Sequence, residues 1–146
     1  MNKRLTFLAT LLALNILVPT VSACTVGLTP GYWKNTRKHI AAWDEAGFSP
    51  DDTLDVMFPS LDGTGWDDYT LIEALKFHGG NGIDGARRIL LRAAVATVLS
   101  QHYFDSSDYD KEYAVNIIEW YFFAQPRAFL LDKAAQLDAF NNLGPP

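Results

Sequence analysis

Gly85-Ala86-Arg87-Arg88-Ile89-Leu90-Leu91-Arg92-Ala93-Ala94-Val95-Ala96-Thr97-Val98-Leu99-Ser100-Gln101-His102-Tyr103 is the stretch on which the fold turns. From Ile89 to Leu99 its apolar residues leave almost no polar side, and a helix that is apolar nearly all round is packed on most of its faces. The pattern predicts a central helix over about 85–103, capped by Asp84 after the hard break at Gly79-Gly80-Asn81-Gly82. Arg87, Arg88 and Arg92 fall in its N-terminal half, where the helix dipole disfavours cations, so carboxylate partners are expected from Glu73 or the Asp-rich loops.

Outward from this helix the periodic segments are short. Residues 24–36 read as extended or turn structure, because Pro30 biases Thr29 away from helix. Thr36 then reads as the N-cap of a helix reaching Trp43 or Glu45, with His39, Ile40 and Trp43 on one face and Gly47 ending it. Ser49-Pro50-Asp51-Asp52 reads as a helix start that Met57-Phe58-Pro59 soon stops. An Asp- and Gly-rich loop over residues 61–67 leads to a helix over about 69–77, with Leu71, Ala74 and Leu75 inward.

Beyond the central helix, Ser106-Ser107-Asp108 restarts helix near Tyr109, with Tyr113, Ile117, Trp120 and Ala124 in register. Pro126 separates it from a last amphipathic helix to about Phe140, closed by Asn141-Asn142-Leu143-Gly144. No alternation of strand length appears, so an all-α, compact single domain of short helices around the long one is expected.

The N-terminus reads differently. Met1 to Arg4 is a short positive segment, Leu5 to Val18 is apolar, and Val21-Ser22-Ala23 offers small residues for cleavage, which together make a secretory signal peptide over residues 1–23 and an exported domain over residues 24–146. The apolar run is too short for the roughly 20 residues of a spanning helix. Cys24, the sole cysteine, stands first after the expected cut, and Val21-Ser22-Ala23-Cys24 resembles a bacterial lipobox, with Val where Leu is usual. A lipidated Cys24, a free thiol and an intermolecular disulfide are the three readings, since no second cysteine exists to pair with. The expected location is extracellular, or the cell envelope if a lipid is attached.

Losing Lys3 and Arg4 with the leader moves the net charge from −5 to −7. An acidic chain without a basic, aromatic-interleaved patch is unsuited to nucleic acid, whose phosphates several cations must meet. Four Trp, six Tyr and nine Phe suit a small core built from large side chains, or an aromatic binding face.

The mature part opens with Thr29-Pro30-Gly31-Tyr32-Trp33-Lys34-Asn35. Later blocks are Trp43, Gly47-Phe48-Ser49-Pro50-Asp51-Asp52 with Val56 and Phe58, Thr70-Leu71-Ile72-Glu73-Ala74-Leu75, the Gly79-Gly80 pair, and Ile89 to Ala96. Over nearly all of residues 24–144 this resembles a widespread family of exported bacterial and archaeal domains that open with Thr-Pro-Gly-Tyr-Trp-Lys-Asn-His. The resemblance implies export and names no reaction or ligand. Two departures matter: Thr36 stands where the family has His, with His39 displaced by three residues, and Leu143-Gly144-Pro145-Pro146 lies where members often carry a second cysteine.

No nucleophile elbow, His-Glu-x-x-His pair, phosphate loop or dinucleotide fingerprint accompanies His39, His78 and His102. A hydrolase using paired carboxylates stays open, because such sites leave no local pattern. Asp62-Gly63-Thr64-Gly65-Trp66-Asp67-Asp68 has oxygen ligands but not the EF-hand spacing, and reads as a solvated acidic turn; neither a metal nor a cofactor is expected. Tyr32, Trp33, Trp43 and Trp66 could present rings to a sugar, with Lys34 and Asn35 as hydrogen-bonding groups. Trp120-Tyr121-Phe122-Phe123 spans most of a helix circumference, so this helix is either sandwiched or exposes a patch for a partner or a second copy. The combined reading is an exported binding or structural module of the envelope, acting on an unknown protein or glycan, with the envelope hydrolase and the glycan-binding module as alternatives.

Within that reading Tyr32-Trp33-Lys34 is more a plug than a ligand site, with Trp33 against the central helix and Lys34 and Asn35 fixing carboxylates or backbone groups. Trp33→Ala is therefore expected to cost about 3–5 kcal/mol, as for large aromatics removed from cores, read as a lower midpoint in urea denaturation. An unchanged midpoint would return the motif to a functional role.

Overall fold

The computed structural model describes residues 27–105 and 112–144. The expected signal peptide, Cys24 and the expected helix restart at Ser106 to Tyr109 lie outside the described residues. Among the described residues seven α-helices and one 3₁₀ turn make up an all-α fold: α1 (Pro30–Trp33), α2 (Thr36–Ala46), α3 (Leu54–Met57), the 3₁₀ turn (Pro59–Leu61), α4 (Leu71–Ala74), α5 (Ile83–Tyr103), α6 (Tyr113–Tyr121) and α7 (Arg127–Asn141). Among the described residues no helix is long and apolar enough to cross a membrane.

α5 is the axis, as its composition requires. Leu90, Leu91 and every residue from Ala93 to Gln101 are buried, so the helix meets neighbours on nearly all sides. α7 packs along it most extensively, and α1, α2, α4 and α6 complete the enclosure. Small residues allow the close approach. At the start of α5, Gly85 lies directly on the backbone of Gly80, and a Cβ there would overlap the Gly80 carbonyl. The cap is Gly82 rather than Asp84, which instead pairs with Arg87 at 2.8 Å.

Two polar side chains tie α7 to α5. Asn141 is buried, donates from Nδ2 to the Ala93 carbonyl at 3.0 Å, and its Oδ1 lies 3.0 Å from the Thr97 hydroxyl. Just beyond, Gly27 and Gly144 form an antiparallel bridge, with the Gly27 amide donating to the Gly144 carbonyl at 3.2 Å.

The short elements depart from expectation in several places. Residues 30–33 are a turn of helix, not extended: the Thr29 hydroxyl accepts from the Tyr32 amide at 3.2 Å and caps it. Asn35, not Thr36, occupies the cap position of α2, and Gly47 ends that helix in the left-handed conformation, as glycine there should. Ile40 is exposed, so the expected apolar face of α2 narrows to Ala42, Trp43 and Ala46.

Ser49-Pro50-Asp51-Asp52 is a turn rather than a helix start. Asp52 Oδ2 accepts from the Ser49 amide at 2.7 Å, while the Pro50 and Asp52 carbonyls accept from Ile72 and Leu71 at 3.1 and 2.8 Å. These carbonyls are committed across the chain to the 69–72 segment, so a helix begins only at Leu54. The helix expected over about 69–77 is reduced to Leu71–Ala74, opened by a capping box in which Thr70 and Glu73 bond each other's backbone amides. The bond from the Thr70 amide holds the Glu73 carboxyl below its ordinary range, and no arginine pairs with it among the described residues.

Candidate functional site

The opening motif has two faces, and its first turn of helix divides them. Trp33 points inward and is fully buried; its indole Nε1 donates to Ser100 Oγ on α5 at 3.1 Å. The same hydroxyl accepts from the Leu28 amide at 2.9 Å and donates to the Ala96 carbonyl at 2.7 Å. Trp43 Nε1 in turn donates to the Trp33 carbonyl at 3.0 Å, and Trp43 and Tyr103 meet the Trp33 ring edge to face at 5.8 and 5.9 Å. Tyr32 lies across the entrance, stacked on His39 at 3.7 Å between centroids. Burial is the main cause that pushes its hydroxyl above the ordinary tyrosine range, helped by Tyr103 and Glu45.

An aromatic face needs rings open to solvent, and Trp33 and Trp43 offer none. Trp66 is half-buried in a separate ring cluster with Tyr69, Phe77 and Phe122, and does not join them.

The outer face of the motif lines a cleft of about 550 Å³. Thr29, Pro30, Gly31 and Lys34 form one wall, Leu75 to His78 another, and Arg92 of α5 with Asp138 and Asn142 from the end of α7 close it. Contrary to the expectation that Lys34 and Asn35 fix carboxylates or backbone groups, neither side chain makes a hydrogen bond or ion pair among the described residues. Lys76 and Arg92 likewise lack an ion-pair partner among the described residues; Arg92 reaches only the Phe77 carbonyl at 3.4 Å. The single carboxylate of the cleft, Asp138, is raised above its ordinary range by burial, with the Arg92 charge opposing. A paired-acid reaction finds no second acid there.

The remaining expected sites separate cleanly. Asp67 accepts from the amides of Gly63 and Gly65 at 2.9 and 2.8 Å, and these bonds, Gly63's first, hold its carboxyl low. It is spent on its own turn. Among the described residues no group of three or more His, Cys, Asp or Glu side chains is placed to hold a metal. The three histidines do not meet: His39 stacks on Tyr32, His102 lies edge-on to Phe48 at 5.2 Å, and His78 lines the cleft.

The run Trp120-Tyr121-Phe122-Phe123 ends α6 and turns toward α7. Phe122 is fully buried, and Arg87 donates from Nε to its carbonyl at 3.1 Å while lying 5.5 Å above its ring. The other three rings are exposed: Trp120 by 72%, Phe123 by 47% and Tyr121 by 38%. Tyr121 contacts Phe129 at 5.1 Å, extending the surface onto α7. Trp120 does not take the inward register expected for it. Ala114, Ile117 and Ile118 form the buried face of α6, so a residue two positions past Ile118 points away from α5.

Ser100 went unnoticed in the sequence, because a lone serine inside an apolar helix carries no pattern of its own. No family model, curated protein or solved structure matches the chain.

Replacing Ser100 with Ala would strand the Trp33 indole and the Leu28 amide without a buried acceptor. Each such group costs about 1–3 kcal/mol, so Ser100→Ala is expected to destabilise by about 2–4 kcal/mol in urea denaturation. The tryptophan emission of the folded variant should shift as Trp33 loses its partner; a loss below about 1 kcal/mol would mean the hydroxyl is not the anchor.

Proposed function

We propose that the chain is an exported binding module of the cell envelope or extracellular space, and that it meets a protein partner through the rings of Trp120, Tyr121 and Phe123. The observation that carries this reading is the exposure of three large aromatics on one helix end, beside a fourth, Phe122, that is wholly buried. A soluble surface rarely leaves such side chains together in water unless they are covered in use, and aromatic residues are enriched where proteins meet. The glycan and hydrolase alternatives draw less support, since the rings of the opening motif are inward and the cleft has one carboxylate.

Export rests on the leader-like residues 1–23, and attachment on Cys24. Intact-mass measurement of membrane and soluble fractions is expected to find a cleaved chain beginning at Cys24, heavier by its acyl chains in the membrane fraction; a mature mass without them ends the lipid reading.

For the contact itself, Trp120→Ser and Phe123→Ser remove exposed rings and should leave the melting temperature within a few degrees of the parent. They are expected to abolish recovery of the cross-linked partner from native envelope, whereas Ile40→Ser, on a different exposed surface, should not. Equal recovery by all three variants would sink the assignment of this surface.

A further inference from the structure

The cleft beneath the opening motif is a second surface, and its charge is of the opposite sign to that of the chain. Lys34, Lys76 and Arg92 converge on it from α1, the end of α4 and the middle of α5, against Asp138 alone. None of the three forms a close ion pair among the described residues: Arg92 feels Asp138 and Lys76 feels Glu73 only at longer range, and Lys34 has neither. We propose that the cleft binds a small phosphate monoester, its phosphoryl group held by Lys34, Lys76 and Arg92 and its organic body seated against Phe77 and Pro30.

The charge balance selects the ligand class. With Asp138 ionised the cleft carries a surplus of two positive charges, which a phosphate monoester, close to a dianion at neutral pH, meets. A carboxylate or a sulfate ester brings one charge and leaves a cation unmatched. Arg92 supplies the planar fork that holds two oxygens at once, and the lysines act as point charges. A volume of about 550 Å³ exceeds the needs of the phosphoryl group alone and lies in the range of small-molecule sites. A long polyanion is disfavoured, because the chain as a whole is net negative and repels it.

Calorimetric titration of the purified full chain at low salt with phenyl phosphate, phenyl sulfate, benzoate and inorganic phosphate tests this. Phenyl phosphate is expected to bind at least about tenfold more tightly than each of the other three, since one charged hydrogen bond already accounts for such a factor. Lys34→Gln and Lys76→Gln, both at exposed positions, should each weaken it by about fivefold or more with unchanged circular dichroism. Asp138→Asn should tighten it, which loss of a merely structural residue would not do. Absence of binding at millimolar ligand overturns the proposal, as does binding that ignores Lys34→Gln and Lys76→Gln. Equal affinity for benzoate or phenyl sulfate overturns the phosphate assignment, and equal affinity for inorganic phosphate overturns the role of the apolar wall.

Discussion

One hydroxyl joins the two halves of this protein. Ser100 sits fully buried in the central helix, where a polar side chain must find partners or forfeit stability. It finds them in the Leu28 amide, the Trp33 indole and the Ala96 carbonyl, so the segment that leads into the domain is fastened to the helix at its centre. Through Trp33 the bond extends to Trp43 and hence to α2. Without it the first twenty described residues would be held by the bridge between Gly27 and Gly144 at their edge and otherwise by apolar contact, which gives attraction but little direction.

The same fastening sets what the surface can do. Because Trp33 is drawn inward, Lys34 beside it is left exposed on the cleft, without an ion pair among the described residues. On the opposite side of α5, Arg87 plays the matching part: it holds the Phe122 carbonyl and ring, and by fixing that ring inward it leaves Trp120, Tyr121 and Phe123 in solvent. In both places a buried aromatic determines which of its neighbours are available for binding.

The long helix and the all-α architecture were legible in the sequence, since a nearly continuous apolar run interrupted only at Arg92 and Thr97 admits few other interpretations. So was the burial of Trp33. The short elements were harder, because their ends are settled by bonds between segments distant in sequence. Ser49-Pro50-Asp51-Asp52 has every local mark of a helix start, yet its carbonyls are claimed by Leu71 and Ile72. The cleft was out of reach for the same reason: its cations come from three separate segments and share no spacing. For the run over residues 120–123 the sequence left a sandwiched helix and an exposed patch both open, and the buried face formed by Ala114, Ile117 and Ile118 leaves Trp120 in solvent.

The bridge between Gly27 and Gly144 brings the two ends of the described fold together beside the last turn of α7. The exposed rings lie near Phe129 toward the other end of that helix, which is about 22 Å long at 1.5 Å per residue over its 15 residues. Gly27 therefore lies beside one end of α7, and the aromatic surface beside the other. A chain held by its leading segment would carry that surface as the head of a stalk, facing outward, and one whose ends were joined by a short linker could be reopened at a distant loop with its core helices undisturbed.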